Sequence, residues 1–274
     1  MRLNWDRIFV ALLMVVLVGS VRAEKAKEVV IASAKELKGI KAKKIIWKKD
    51  GAKMVRIPTM ASKQVKTFNR VGEPIVKTVK VDGPDSIPFF MDAHEVTVGQ
   101  FKQFLKSSGY KPDEAINWNE VYEYSPTDKH PMVFVNWHDA TAYAKWAGKR
   151  LPTEKEWEWA ARGGLRDKEY SWGDDESVAR EYANYNGTGG KDKWEFTAPV
   201  GSFKPNGYGI FDMPGNVWEW CQDWSDSDKR FKELRGGSWV FSTNILRLDS
   251  RICTTRFPAT RFNGVGFRCV SGSK

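Results

Sequence analysis

Residues 170–270 are dominated by Gly, Asn, Asp, Trp and Pro, and their strand-like pieces are too short for regular sheets. A segment of this kind needs something other than hydrogen-bonded ladders to hold its loops. Upstream, helical signals are clear. In "HEVTVGQFKQFLKSSGY", Thr97 reads as an N-cap, Phe101, Phe104 and Leu105 share a face, and Gly109 ends the helix. A second helix is expected over Trp137–Ala147, with Ala140, Tyr143, Ala144 and Ala147 inward and Gly148 as its stop. A third follows at once. Thr153 and Glu156 form a capping box, and Gly163 and Gly164 terminate it. Short β-like runs precede these helices, at residues 54–57 and 75–81. No internal repeat is visible.

The amino terminus reads as a targeting segment. Arg2 and Arg7 precede the apolar run 8–18, and Val21 and Ala23 supply a small-x-Ala cleavage pattern. Residues 1–23 are therefore expected to be a signal peptide, which places the mature chain outside the cytoplasm, periplasmic or extracellular. The net charge of +10 suggests nucleic acid until it is located. Residues 24–56 hold eleven Lys or Arg against four Asp or Glu, so the rest of the mature chain is nearly neutral. We read residues 24–50 as a basic arm with at most a short helix or strand, usually a solvated tail. Nucleic acid is not an expected partner, and membrane contact is expected only through the signal segment or this arm. Residues 51–274 remain for a folded domain, long enough to bury a core without disulfide staples. Three cysteines, Cys221, Cys253 and Cys269, are an odd number even for an oxidising compartment.

The run "DMPGNVWEWCQDW" sets acids among tryptophans, and three readings compete for it: core decoration, a catalytic carboxylate pair, or oxygen ligands for a hard cation. Asp212 and Glu219 bracket a Pro214-Gly215 turn that lets nearby carbonyls converge. Beyond the turn, period-two alternation sends Trp218 and Trp220 to one face and Val217, Glu219 and Cys221 to the other. Calcium accepts such a mixture of carboxylates and carbonyls in irregular geometry. His94, His130 and His138 lack metal-triad spacing, and the Glu154, Glu156, Glu158 run reads as helix capping and a solvated face. No Ser/His/Asp set or phosphate loop stands out. The tryptophans read first as core filler, with an aromatic groove for a peptide or glycan as the sharper alternative, and the 223–231 loop as an exposed place for binding.

The strings "HEVTVGQF", "HPMVFVNWHDATAYAKWAGKRLPTEKEWEWAARGG", "YSWGDD", "ANYN", "TAPVGSFKPNGYGIFDMPGNVWEWCQDW", "LRGGSW" and "GVGFRCV" together resemble the formylglycine-generating enzyme (sulfatase-modifying factor) family. The likeness spans residues 54–270. It implies a compact, loop-rich α+β fold related to C-type lectins, with few helices and short strands. It also implies two calcium sites. Asp212, Gly215, Val217 and Glu219 make the first, the middle two through carbonyls. Asn184, Tyr185, Asp192 and Trp194 make the second, with Tyr185 and Trp194 giving carbonyls. "MVRIPTMASKQVKTF" departs from the family's opening Gly-Gly-x-Phe-x-Met-Gly strand, so the first strands are expected to be rearranged.

The family's enzymes oxidise a sulfatase cysteine to formylglycine at copper(I) held by two cysteines five positions apart. Soft thiolates select Cu(I), and both are needed. Residues 236–251, where that pair should lie, contain no cysteine, and the position five before Cys253 is Leu248. Copper is therefore not expected. Cys269 matches a position that some relatives use for a disulfide, but the usual partner position is Ala144; Cys221 reads as a small buried apolar group. Whether Cys253 and Cys269 form a bridge is a matter of geometry. The expectation is an exported binding or accessory module for an envelope protein or enzyme system, with a protein, peptide or glycan partner. The alternatives are a divergent formylglycine-generating oxidase and a substrate-binding face for another oxidoreductase.

Overall fold

The computed structural model describes residues 28–58, 63–68, 73–79, 89–250 and 254–271. The signal-peptide expectation and Cys253 lie outside these residues. The fold is α+β, with short strands in three sheets and few helices. β1 (Val30–Ile31), β2 (Lys44–Trp47), β3 (Lys53–Ile57), β6 (Phe89–Asp92) and β11 (Val270–Ser271) form the largest sheet, in the order β1-β2-β3-β6-β11. A four-stranded sheet runs β10-β7-β8-β9, from Val265–Gly266, Trp218–Trp224, Lys232–Arg235 and Thr255–Arg256. β4 (Lys63–Phe68) and β5 (Pro74–Val79) pair as a separate antiparallel hairpin.

The helices follow their local signals. α1 (Val98–Ser108) starts at a Thr97–Gln100 capping box and stops at Gly109, which is left-handed at φ 69°. Phe101 and Phe104 are buried. α3 (Trp137–Ala147) is capped by Asn136 and Asp139 in a second box and ends at Gly148, φ 72°. Its expected inner residues Ala140, Tyr143, Ala144 and Ala147 are all buried. α4 (Glu154–Ala161) begins at the Thr153–Glu156 box, and its carboxyl-terminal cap is Arg162, one residue before the glycines expected to end it. α2 (Trp118–Tyr124) and the single turn α5 (Ala179–Tyr182) had no sequence expectation.

The lysine-rich stretch 28–50 is not a free tail. It supplies a 3-10 turn, Ala34–Leu37, and the outer strands β1 and β2. Its few apolar side chains explain this. Ile31, Ile45 and Trp47 are at most 3% exposed and pack on Met54 and Phe90, while Lys44 and Lys48 stay in water. Burial of each such side chain is worth about 1.5–3 kcal/mol, enough to fix a short strand against an existing edge. Trp47 also donates its indole N–H to the Ala147 carbonyl at 2.6 Å, tying the stretch to the end of α3.

The last residues join the sheets. β10 lies parallel to β7, and β11 returns antiparallel to β6, so Arg268 and Cys269 sit where the two sheets meet. The principal core lies between α1, α3 and β7. Phe101, Tyr143, Trp218, Trp220 and Phe267 meet there, and Tyr143 packs edge-on against Phe267 at 5.3 Å.

Candidate metal-binding loops and the cleft at residues 236–250

The 212–219 turn is built from left-handed residues: Asp212 at φ 56°, Gly215 at 78° and Asn216 at 60°. Only glycine fits at 215, because a Cβ there would meet the Asn184 carbonyl oxygen at 2.2 Å. The Asn216 amide donates to that same carbonyl at 2.8 Å. The two loops singled out as calcium sites are therefore packed directly on each other.

The acids of the first loop are buried and partnered, and not all face where alternation placed them. Glu219 accepts from the Trp157 indole at 2.7 Å and from the Arg268 guanidinium at 2.7–2.9 Å through both oxygens. Val217 packs in the same cluster as Trp218 and Trp220, because it precedes the strand and belongs to the turn. Cys221 does leave that face and packs with Trp157 in the second cluster. Asp212 accepts from the Gly201 amide through Oδ2 at 2.5 Å, and its buried Oδ1 receives no N–H.

Sequence reasoning missed Glu95, whose side chain adjoins Asp212. Glu95 Oε1 accepts from Asn216 Nδ2 at 2.9 Å; Oε2 is buried, receives no N–H and lies 3.9 Å from Arg268, and the Glu95 carboxyl is hydrogen-bonded to that of Asp212. Burial pushes the Glu95 carboxyl well up, and the neighbouring Asp212 charge adds to the push against the opposing Arg268 charge. Burial likewise raises Asp212, to about 6. Glu95, Asp212 and Glu219 thus surround one guanidinium with three carboxyls. A proton on either carboxyl lets Glu95 and Asp212 hydrogen-bond to each other; when all three ionise, negative charge is in excess and that bond is lost.

Among the described residues, no three His, Cys, Asp or Glu side chains converge as a metal-binding group. A hard ion at the first loop would therefore rest on the Asp212 and Glu95 oxygens with backbone carbonyls. Without an ion the Glu95 and Asp212 carboxyls pair with each other; once ionised, their oxygens and the charge excess fit that donor chemistry. The second loop differs. Asn184 Oδ1 is buried without a partner, but Asp192 already accepts from Arg180 Nη1 at 2.5 Å and from the amides of Tyr185 and Trp194.

The segment where the resemblance would put copper ligands lines a small cleft. Its walls include Trp157, Trp218, Arg235, Ile245, Leu246 and Leu248. Ile245, Leu246 and Leu248 are buried hydrophobics, and residues 236–250 hold no sulfur. Cys221 and Cys269 are free thiols, fully buried in different clusters. Burial pushes both thiols well up, the opposite of a reactive or metal-binding thiolate.

At the far edge of β7, Lys232 lies between the rings of Trp137 and Trp224, 4.0 and 3.6 Å from their centres. Its ammonium donates to the Gln222 carbonyl at 2.8 Å, and burial pushes it down to about 8 against the pull of the Asp223 charge. Trp224 is 38% exposed and Phe257 57%, and Phe257 packs on Phe231 at 4.5 Å. These aromatics border the 223–231 loop. By contrast Trp47, Trp157, Trp218 and Trp220 are core residues.

Known proteins resemble this chain along most of its length. The model of the sulfatase-modifying factor enzyme 1-like domain matches residues 48–272. A formylglycine-generating enzyme of Thermomonospora curvata is 34% identical over 288 aligned residues, spanning 80% of this chain and 93% of that protein. A Bos taurus protein named inactive C-alpha-formylglycine-generating enzyme 2 is 32% identical over 252, spanning 74% and 82%. Among solved structures, PvdO from Pseudomonas aeruginosa superposes with a TM-score of 0.59 at 26% identity, covering 84% of this chain and 98% of its own. Treponema denticola variable protein 1 also gives 0.59, at 23% identity, covering 84% and 99%. With a family model covering most of the chain and relatives above 30% identity over most of both lengths, this chain belongs to the sulfatase-modifying factor (formylglycine-generating enzyme-like) family.

Proposed function

We propose that this family member is an exported, calcium-stabilised binding or accessory module for an envelope protein or enzyme system, without copper oxidase chemistry. The observation that carries the reading is the 236–250 cleft. Where two thiolates would be needed, the wall is Ile245, Leu246 and Leu248. The exposed aromatic edge at Trp224 and Phe257, beside the 223–231 loop, supports a peptide or glycan partner. The competing reading, a divergent oxidase acting on a sulfatase cysteine, is favoured by the names of the enzymes that this chain resembles.

The decisive experiment is incubation of the purified protein with copper and a Cys-x-Pro-x-Arg peptide, followed by mass spectrometry. No aldehyde is expected. A copper-dependent aldehyde product overturns the accessory reading in favour of the oxidase.

Calcium bound at the 212–219 loop supplies positive charge between the ionised Asp212 and Glu95 carboxylates, in place of the proton that otherwise joins them. An ion present at a hundredfold its dissociation constant stabilises by about 2.7 kcal/mol. For a domain of this size, that is about 5–10 °C in melting temperature. EDTA should lower the midpoint by that amount, calcium should restore it, and Asp212→Ala should abolish the difference. A midpoint indifferent to chelation removes the calcium part of the reading.

A further inference from the structure

The second loop holds a positive charge of its own. Arg180 sits in the single turn α5, and the chain reverses after Ala183 so that residues 185–192 wrap around its guanidinium. Nη1 donates to the Tyr185 carbonyl at 2.9 Å, to the Gly187 carbonyl at 2.7 Å and to Asp192 Oδ2 at 2.5 Å. Nη2 donates to the Asn186 carbonyl at 2.6 Å. The guanidinium carbon stacks 3.4 Å from the centre of the Tyr185 ring. The loop is shaped to this side chain. Gly190 is left-handed at φ 54°, and a Cβ there would come within 3.2 Å of the Arg180 Cβ.

Four oxygens of one loop thus converge on one side chain, as they would on a bound ion. Two of them, the Tyr185 carbonyl and the Asp192 carboxylate, are the very oxygens that the family resemblance assigns to calcium. An ion bound to them at about 2.3–2.6 Å would lie beside Nη1, with the one Asp192 carboxylate shared between two positive charges. The Asp192 side chain is fully buried and that of Arg180 only 20% exposed, so water would screen that repulsion only in part. Arginine suits the role because its charge is permanent and its planar fork presents several donors at fixed angles.

We propose that the Arg180 guanidinium is the resident cation of the 184–194 loop, replacing an alkaline-earth ion there, so that this loop folds independently of calcium. The inference stands apart from the calcium reading of the 212–219 loop, and the test separates the two. Calcium binding is measured by equilibrium dialysis on the full chain and on Asp212→Asn, Asp192→Asn, Arg180→Ala and Arg180→Gln. The unsubstituted protein should take up at most one equivalent, lost in Asp212→Asn and kept in Asp192→Asn. Arg180→Ala or Arg180→Gln should gain an equivalent that a further Asp192→Asn removes, with a melting temperature that becomes calcium-dependent. If neither Arg180 variant folds in chelator, recovery of the fold on adding calcium supports the proposal equally. No calcium in the parent with a gain in Arg180→Ala upholds the proposal while removing the first-loop reading. An equivalent in the parent that vanishes in Asp192→Asn but survives in Asp212→Asn overturns it.

Discussion

Arg268→Met is expected to cost about 3–5 kcal/mol, the range for breaking a buried ion pair from one side, and so to leave little folded protein at 37 °C. Arg268 is wholly buried where the sheets meet. It binds Glu219 through Nε and Nη2, and its remaining N–H groups reach the carbonyls of Asp92, Phe211 and Asp212. Burial alone would lower its pKa, but the Glu219, Glu95 and Asp212 charges hold it up. Methionine fills comparable volume, so the loss would report charge rather than a cavity. The double variant Arg268→Met, Glu219→Gln removes a facing charge and should recover part of the stability. Denaturant midpoints decide this, and equal losses in the single and double variants would contradict the pairing.

Lys149→Met should produce a second large loss, of similar size, with a pH signature. Lys149 Nζ lies 2.8 Å from Asp50 and 2.7 Å from Asp92, with all three side chains at most 3% exposed. The Tyr143 hydroxyl donates to the same Asp50 oxygen at 2.9 Å. Burial raises Asp92 to about 6 even though Lys149 pulls it down, so removing the lysine lets it climb further. A carboxyl with a folded pKa above its unfolded value near 3.8 binds protons in the folded state. Its contribution to stability therefore falls as pH rises through the folded pKa and recovers as pH drops. The deficit of Lys149→Met relative to the parent should be smaller at pH 5 than at pH 8 in urea titrations. A deficit that does not change between those pH values would sink the assignment.

These two cations show where sequence reasoning loses reach. Thr97, Thr153, Gly109 and Gly148 were legible as helix punctuation because a cap is settled within four residues. The α3 stripe was legible for the same reason. α2 was not read, although Asn117 caps it, because a seven-residue helix carries too little periodicity. The 28–50 stretch looked solvated because lysines outnumber its apolar residues. Its place was decided by three buried side chains whose partners lie far along the chain.

Within the candidate site, the motifs containing Glu95, Asp212, Glu219 and Arg268 were visible, but their pairings were not, and Arg180 fell between the motifs. Alternation correctly separated Cys221 from the indoles, yet it left open whether Glu219 met a guanidinium or an ion. It also misplaced Val217, which lies in the turn rather than on the strand.

The residues by themselves determined the boundaries of α1 and α3 and the start of α4, the loop-rich α+β class, the family, and the absence of cysteine between residues 236 and 251. Each of these depends on neighbours in sequence or on composition alone. Only the tertiary structure decided which charges are buried together: Glu219 with Arg268, Lys149 with two aspartates, Asp192 with Arg180. The physical reason is desolvation. A charge in water is indifferent to most of its surroundings, but one removed from water must find its counter-charge, and the folded chain brings that partner from 12 to 99 residues away.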